Sequence, residues 1–249
     1  MSTTRTTRTT RKPGPEPRYT RDQVAERALA LLDAHDPGGL TMRRLAADLG
    51  MSTMALYRYF PHREALIDAA IEVAAPEVTL PEPGAAPWKQ QLADLTRQLY
   101  QAGVRHPAIA RERFSRPLQS PSAMKVTDRA IALLLQAGLA KHDAVAAFKS
   151  LLIHTFGAAA ITAGESNRAV RRSASHAHQA VPADLFPAMA HVAPELDAAL
   201  GSDDAFELGL TILLDGVERH AAATSAQRTY PPAGHAGVPV SPPTRRRSR

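Results

Sequence analysis

Hydrophobic positions recur with a helical period along most of the chain. In residues 22–35, Val24, Ala28, Leu31 and Leu32 fall on one face of a helix with 3.6 residues per turn. Comparable patterns predict further helices over residues 62–75, 88–106, 107–115, 120–138, 141–163, 184–191 and 203–223. No segment alternates apolar and polar residues in the manner of a half-buried strand. The pattern therefore predicts an all-α protein.

Residues 40–60 contain two short apolar patterns separated by a glycine. Thr41 is a suitable N-cap for a helix over 42–48, and Gly50 stands where a left-handed residue would end it. Ser52 or Thr53 can cap a second short helix. Two short helices joined by a glycine-containing turn are typical of the helix-turn-helix. The side chains predicted to face inward are Leu45, Leu49, Leu56 and Phe60.

The opposite face of the second short helix carries small, hydroxyl and aromatic side chains. It presents Thr53, Met54, Ala55, Tyr57, Arg58 and Tyr59, and the flanks of the motif carry Arg43, Arg44 and Arg63. Residues 41–63 hold four basic groups and one acid, whereas residues 22–223 as a whole have a net charge of −4. These features favour a DNA-contacting surface. The alternative is a pair of ordinary core helices with solvated arginines.

The segment GLTMRRLAADLGMSTMALYRYFPHREALIDA resembles the DNA-binding domain of the tetracycline-repressor (TetR) family of bacterial transcription regulators. The resemblance covers about residues 20–75 and includes the Leu-Ala-x-x-Leu-Gly and Ala-Leu-Tyr-x-Tyr-Phe runs. It implies that Thr41, Arg43, Thr53, Met54, Ala55, Tyr57, Tyr59 and Arg63 fall where family members contact DNA. It also implies a three-helix DNA-binding domain followed by a helical ligand-binding and dimerisation domain.

Breaks in the pattern divide the chain into five predicted parts. Residues 1–19 form a basic, disordered arm, and residues 20–75 form the helix-turn-helix domain. Residues 76–87 contain four prolines and are predicted to be a linker to the helical unit 88–223. Residues 224–249 are predicted to be a second basic, disordered tail. Within the larger unit, residues 164–181 have no clear period and predict a mobile loop.

Basic residues are concentrated at the two ends of the chain. Residues 1–21 contain six basic groups and one acid, and residues 224–249 contain five arginines and no acid. One interpretation is attraction to DNA phosphates, and the other is a solubilising arginine-rich tail. Composition favours neither.

A single helix-turn-helix reads only a few base pairs, so the motif predicts a homodimer on a palindromic operator. The apolar faces of helices 141–163 and 203–223 are broad enough to contact a partner as well as the core. Small residues would let helices from two copies approach closely. The alternative is that both helices are simply buried in a monomer.

The family resemblance implies a small-molecule effector in the C-terminal unit. Candidate contacts are His154, Phe156, Met124, Tyr100 and Leu95. A histidine on an apolar helix is more often a satisfied core or interface residue than a ligand contact. His176 and His178 lack neighbouring carboxylates, so we predict no metal site and no cofactor.

Other features exclude several classes of protein. The chain has no cysteine, which excludes disulfides and a thiolate nucleophile and suits a bacterial cytoplasm. It has neither a signal-peptide pattern nor a predicted membrane span. Nucleophile-elbow, zinc-protease and P-loop motifs are absent, so no enzyme activity is expected. The predicted function is a nucleoid-associated regulator, with repression as the family default. An architectural DNA-binding protein is the alternative, and a helical enzyme a weaker one.

Overall fold

The computed structural model describes residues 18–34, 39–115 and 119–229. These residues contain helices and no strands, in agreement with the predicted all-α class. The α-helices are α1 Arg21–Ala34, α2 Met42–Asp48, α3 Thr53–Tyr57, α4 Arg63–Ala74, α5 Trp88–Arg105, α6 Pro107–Ser115, α7 Pro121–Gln136, α8 Lys141–Glu165, α9 Arg168–Gln179, α10 Pro187–His191, α11 Ala193–Ala199 and α12 Asp204–Thr229. A 3₁₀ turn, Ala75–Glu77, follows α4.

The first four helices share one apolar cluster. α1 packs along α4, and α2 and α3 close the cluster from the side. Leu45, Leu56, Phe60 and Leu66 are all 0% exposed at its centre. Burial of such side chains contributes roughly 1.5–3 kcal/mol each. The side chains of the two short helices that were predicted to face inward are therefore buried, as expected.

The second apolar cluster belongs to the remaining long helices. α8 lies at its centre and packs against α5, α6, α7 and α12. Trp88, the only tryptophan of the chain, begins α5 and packs against this second cluster. Val78 and Leu80, within the predicted linker, also pack against it.

Two glycines allow close helix crossings in this bundle. A Cβ on Gly103 of α5 would lie 2.9 Å from the Cβ of Ala159 on α8. A Cβ on Gly209 of α12 would lie 2.2 Å from Cε1 of His154. The His154 Nε2 lies 2.9 Å from the Phe206 carbonyl, and its ring stacks on Phe206 at 5.4 Å. His154 is thus a satisfied interhelical residue.

Two expectations about secondary structure were wrong. The predicted loop 164–181 contains α9, which is capped by the Asn167 side chain and packs against α11. The helix contains only one large apolar residue, Val170, and none of its residues is buried, so no stripe of large apolar side chains marks it in the sequence. The last helix continues to Thr229, beyond the predicted start of the tail at 224. The basic segments 1–17 and 230–249 lie outside the described residues.

Among the described residues, α8 is long and apolar enough to cross a membrane by length and composition. Its contacts with helices that include α5, α6, α7 and α12 place it at the centre of a bundle. A core helix meets the same criterion of length and hydropathy. The exposed apolar residues on α8 and α12 include Val145, Ile153, Ile161, Leu208 and Ile212.

Candidate nucleic-acid interface and cavity

Side-chain caps fix both short helices of the helix-turn-helix. The Thr41 hydroxyl accepts a hydrogen bond from Arg44 N at 3.1 Å, and the Ser52 hydroxyl accepts one from Ala55 N at 3.2 Å. Gly50 has a φ of 63°, the left-handed conformation expected after α2. Ser52, rather than Thr53, is therefore the N-cap of α3.

An ion pair links α1 to α2. Arg27 donates to both carboxylate oxygens of Asp48, with Nη2 2.8 Å from Oδ1. This hydrogen bond lowers the pKa of Asp48. The pair is exposed, so its main effect is orientation rather than stability. The caps, the ion pair and the buried leucines together hold α2 and α3 at a fixed angle.

The outer face of α3 is open to solvent. Met54 is 76% exposed and Tyr57 is 44% exposed, while Thr53 and Ala55 are half-buried beside them. Arg43 and Arg44 on α2 and Arg58 after α3 are exposed as well. A short helix with small side chains at its start and exposed arginines beside it suits entry into the DNA major groove.

Tyr59 differs from its predicted outward placement. It is half-buried against the first apolar cluster, and its hydroxyl donates to the Tyr19 carbonyl at 2.9 Å. The reason is that α3 ends at Tyr57, so the helical period no longer sets the direction of the next side chains. Tyr59 thus attaches the chain before α1 to the end of α3.

Tyr59→Phe is expected to lower the free energy of unfolding by about 0.5–1.5 kcal/mol, because it removes one part-buried hydrogen bond. Chemical denaturation measures the change. Tyr57→Phe is the matched control and is expected to leave stability unchanged, since Tyr57 is exposed. Equal stability of the two variants would show that the bond to Tyr19 contributes nothing.

Arg63 at the start of α4 is engaged inside the protein. Its Nε donates to the Leu40 carbonyl at 3.1 Å, and its Nη2 lies 2.8 Å from Glu112 Oε1 on α6. The Glu112 side chain is only 7% exposed. Arg63 therefore connects the helix-turn-helix to α6, and a DNA contact by this residue stays a prediction.

An apolar cavity of about 170 Å³ lies between α4, α5, α6, α7 and α8. Its walls include Ile71 and Ala74 of α4, Leu99 of α5, and Phe148 and Phe156 of α8. The side chains that bring polar atoms to the wall are His106, Ser122, Lys125 and Thr127. The cavity therefore borders α4, the helix that packs along α1 in the first cluster.

Of the five predicted effector contacts, Phe156 lines this cavity and the other four do not. Leu95 is buried in the second cluster, and Met124 is 54% exposed. Tyr100 stacks on Phe206 at 3.9 Å and donates to Asp203 Oδ1 at 2.6 Å. Burial and then this bond to Asp203 raise the pKa of Tyr100 to about 12. His154 is held by Phe206, as described above.

Two family models match successive parts of the chain. Residues 25–70 match "Bacterial regulatory proteins, tetR family", and residues 80–221 match "Tetracyclin repressor-like, C-terminal domain". The chain belongs to the TetR family of transcription regulators. The two matches confirm the predicted family. This family consists of DNA-binding regulators rather than enzymes, which confirms the prediction that the chain is not an enzyme.

Similar TetR-family proteins come from several bacteria. The "HTH-type transcriptional repressor DrrR1" of Streptomyces coeruleorubidus is 31% identical over 217 residues, covering 82% of this chain and 79% of that protein. The "Tetracycline repressor protein class A from transposon 1721" of Escherichia coli is 32% identical over 199 residues, covering 79% of this chain and 89% of that protein.

Solved structures of a TetR-family protein, ActR of Streptomyces coelicolor, resemble the fold closely. Its complex with (S)-DNPA has a TM-score of 0.69 and 29% identity, and the match covers 82% of this chain and 100% of that chain. Its complex with actinorhodin has a TM-score of 0.69 and 28% identity, covering 83% and 99% of the two chains.

Sequence reasoning missed the polar residues of the cavity. His106, Ser122 and Lys125 stand on or near helix ends, in segments that show no conspicuous motif. The only local signal was the cap Ser120 followed by Pro121, which marked the start of α7. Their common location follows from the packing of α5, α6 and α7.

Proposed function

We propose that this chain is a repressor that binds a palindromic DNA operator as a homodimer and is released by a small-molecule effector. The observation that carries the proposal is the open outer face of α3, held by caps on a rigid helix-turn-helix. Thr53 and Ala55 can approach thymine methyl groups, and Tyr57, Arg43 and Arg44 can reach phosphates or base edges.

The homodimer is supported by an uncovered apolar face on α8 and α12. Ile153 and Ile161 are 61% and 63% exposed, and Leu208 and Ile212 are 64% and 58% exposed. Gly157 and Gly216 have open space where a Cβ would stand, so a second copy can approach closely there. Exposed apolar area of this kind is uncommon on a monomer. Two copies would present two α3 helices to successive major grooves.

The effector is supported by the cavity next to α4. ActR is described in complex with (S)-DNPA and with actinorhodin, so a protein of this fold accommodates organic molecules. In the present chain, α4 forms part of the cavity wall and packs along α1. A ligand that moves α4 would change the relation between the two α3 helices of a dimer. Such coupling links ligand and DNA affinity reciprocally.

The proposal is tested by selecting fragments of the source genome with the purified full-length protein and footprinting those retained. A discrete, two-fold symmetric protected site supports it. Uniform coating of the DNA at similar protein concentrations would instead identify an architectural DNA-binding protein. A regulator of this kind acts in the cytoplasm, where the chromosome is.

Deleting residues 1–17 is expected to weaken DNA binding and to flatten its salt dependence. The segment carries Arg5, Arg8, Arg11 and Lys12, and it adjoins Arg18 and Tyr19, which lie against Gly50 and Tyr59 of the helix-turn-helix. Each lost phosphate contact reduces the slope of log K against log salt by about 0.9. Anisotropy titrations at several salt concentrations measure it.

Deletion of residues 230–249 is the matched control for the arm. It also removes four basic residues, Arg245, Arg246, Arg247 and Arg249, but follows α12 in the second cluster. We expect a smaller change in slope. An unchanged slope after deletion of residues 1–17 would show that this segment makes no phosphate contacts. Equal changes in slope after the two deletions would indicate a non-specific charge effect.

A further inference from the structure

Among its described lining residues the cavity presents two basic side chains, His106 and Lys125, and no carboxylate. The imidazole of His106 is already engaged, since Nδ1 lies 2.8 Å from Asp33 Oδ2 and Nε2 lies 3.0 Å from Glu77 Oε1. Burial lowers the pKa of His106, but these two carboxylates more than compensate and raise it overall. The imidazole of His106 therefore already has two carboxylate partners within the protein, Asp33 and Glu77.

Lys125 is the other basic residue of the cavity wall, and its charge acts on the Glu72 carboxylate, whose pKa it helps to lower. It is exposed on α7, and within the described part of the chain it forms no hydrogen bond or ion pair. Its position beside apolar walls allows the aliphatic stem to contact a ligand while the ammonium group stays at the mouth. A ligand with one negative group would gain a partner there, and a cationic ligand would be repelled.

Ser122, three residues before Lys125, joins the cavity wall to α4. Its N–H donates to Glu72 Oε1 at 2.8 Å, and its hydroxyl donates to Glu72 Oε2 at 2.7 Å. Burial raises the pKa of Glu72, but the bonds from Ser122, with help from Ser120 and Lys125, leave this pKa below its usual value. The Glu72 carboxylate thus fixes α4 to the first turn of α7.

We propose that the cavity binds an apolar carboxylic acid whose carboxylate pairs with Lys125 and displaces Glu72 from Ser122. The inference rests on the function proposed above, because it names the effector's chemical class and the contact through which it acts. The acid and Glu72 carry the same charge and require the same donors. The two carboxylates therefore compete for the first turn of α7.

The size of the cavity limits the apolar part of the ligand. An engineered cavity of about 150 Å³ in another protein binds benzene, so a volume of about 170 Å³ holds roughly one aromatic ring. Such a ring would lie against Phe148, Leu152 and Phe156. Larger acids require α4 and α7 to separate, and the Glu72–Ser122 bonds oppose that movement.

Loss of the Glu72 contact would leave α4 attached to the bundle through Arg63 at its start and through Glu77, which bonds to His106, just after its end. Arg63 remains bonded to Glu112 of α6, and α1 remains bonded to His106 through Asp33. The face of α4 that carries Glu72 would then turn relative to the first turn of α7, about the contacts at the two ends of the helix. Because α3 precedes α4 directly, this rotation changes the position of the candidate recognition helix.

Three probes that differ only in their end group test the ligand class: 3-phenylpropanoate, 3-phenylpropan-1-ol and 3-phenylpropylammonium. Their affinities for the full-length protein are measured by ligand-observed NMR titration without DNA. We expect the acid to bind about fivefold more tightly than the alcohol, as an exposed ion pair permits, and the ammonium to bind most weakly. Equal affinities of the acid and the alcohol would overturn the proposal.

Two variants assign the preference to the cavity mouth. Lys125→Gln is expected to abolish the difference between acid and alcohol, whereas Lys149→Gln, at an exposed lysine of α8 outside the cavity, is expected to preserve it. A preference that survives Lys125→Gln would place the carboxylate elsewhere and overturn the assignment.

Glu72→Gln tests the displacement. Removing the competing charge is expected to raise the affinity for the acid several-fold and to leave that for the alcohol unchanged. A purely structural role of Glu72 would alter both affinities together, and an unchanged acid affinity would refute competition. If the acid binds as expected but does not release the protein from its selected DNA, effector release in the proposed function is wrong while the ligand class stands.

Discussion

Replacing Arg43 by alanine together with Tyr57 by phenylalanine is expected to weaken operator binding by about 2–5 kcal/mol. The double variant would lose one charged contact with DNA and one hydrogen bond to a phosphate. Both side chains are exposed, Tyr57 on α3 and Arg43 on α2. Neither belongs to the apolar cluster of α1–α4. The affinity for the selected operator is measured by fluorescence anisotropy or gel shift.

The controls for this double variant separate contact from folding. Its thermal unfolding is expected to match that of the unaltered protein, because no buried group changes. Arg172→Ala, at an exposed arginine on α9, removes one positive charge far along the chain and is expected to change affinity little. An unaltered operator affinity in the folded double variant would remove α3 and α2 from the DNA interface.

Gly209→Ala is expected to destabilise the protein by about 1–3 kcal/mol, the usual cost of forcing extra volume into a packed core. The new methyl group would stand 2.2 Å from Cε1 of His154. His154 cannot move without losing its contact with the Phe206 carbonyl and its stacking on the Phe206 ring. Chemical denaturation of the purified variant measures the loss.

Gly164→Ala, in the last turn of α8, is the matched control. Nothing lies within 4 Å of a Cβ at that position, so the substitution is expected to be neutral or slightly stabilising. His154→Ala combined with Gly209→Ala should recover part of the loss by removing the clash. If Gly209→Ala is as stable as Gly164→Ala, the α8–α12 crossing is not closely packed at His154.

Local signals made the helix-turn-helix predictable from the sequence. The features that define this motif act within one or two turns of the chain: the cap Thr41, the turn residue Gly50 and the leucines of α2 and α3. The capping residues and the apolar period can therefore be recognised in the sequence. The long helices of the second cluster were found for the same reason. Their apolar faces repeat over several turns, most clearly in α5 and α7.

Features that depend on distant parts of the chain were not predictable. Tyr59 bonds to Tyr19, and Arg63 bonds to Glu112, across 40 and 49 residues respectively. The sequence around Tyr59 and Arg63 does not indicate which distant residue each of them contacts. The cavity likewise combines side chains from five helices, and of the predicted effector contacts only Phe156 lines it. Such placements follow from tertiary packing rather than from propensity.

The position of the single tryptophan provides a selective optical probe. Trp88 packs against the cluster of α5, α7, α8 and α12, and the cluster of α1–α4 contains no tryptophan. Its fluorescence therefore reports the melting of the C-terminal bundle, whereas far-ultraviolet circular dichroism records loss of helix from both parts. A difference between the two transition curves would measure how far the helix-turn-helix unfolds independently of the bundle.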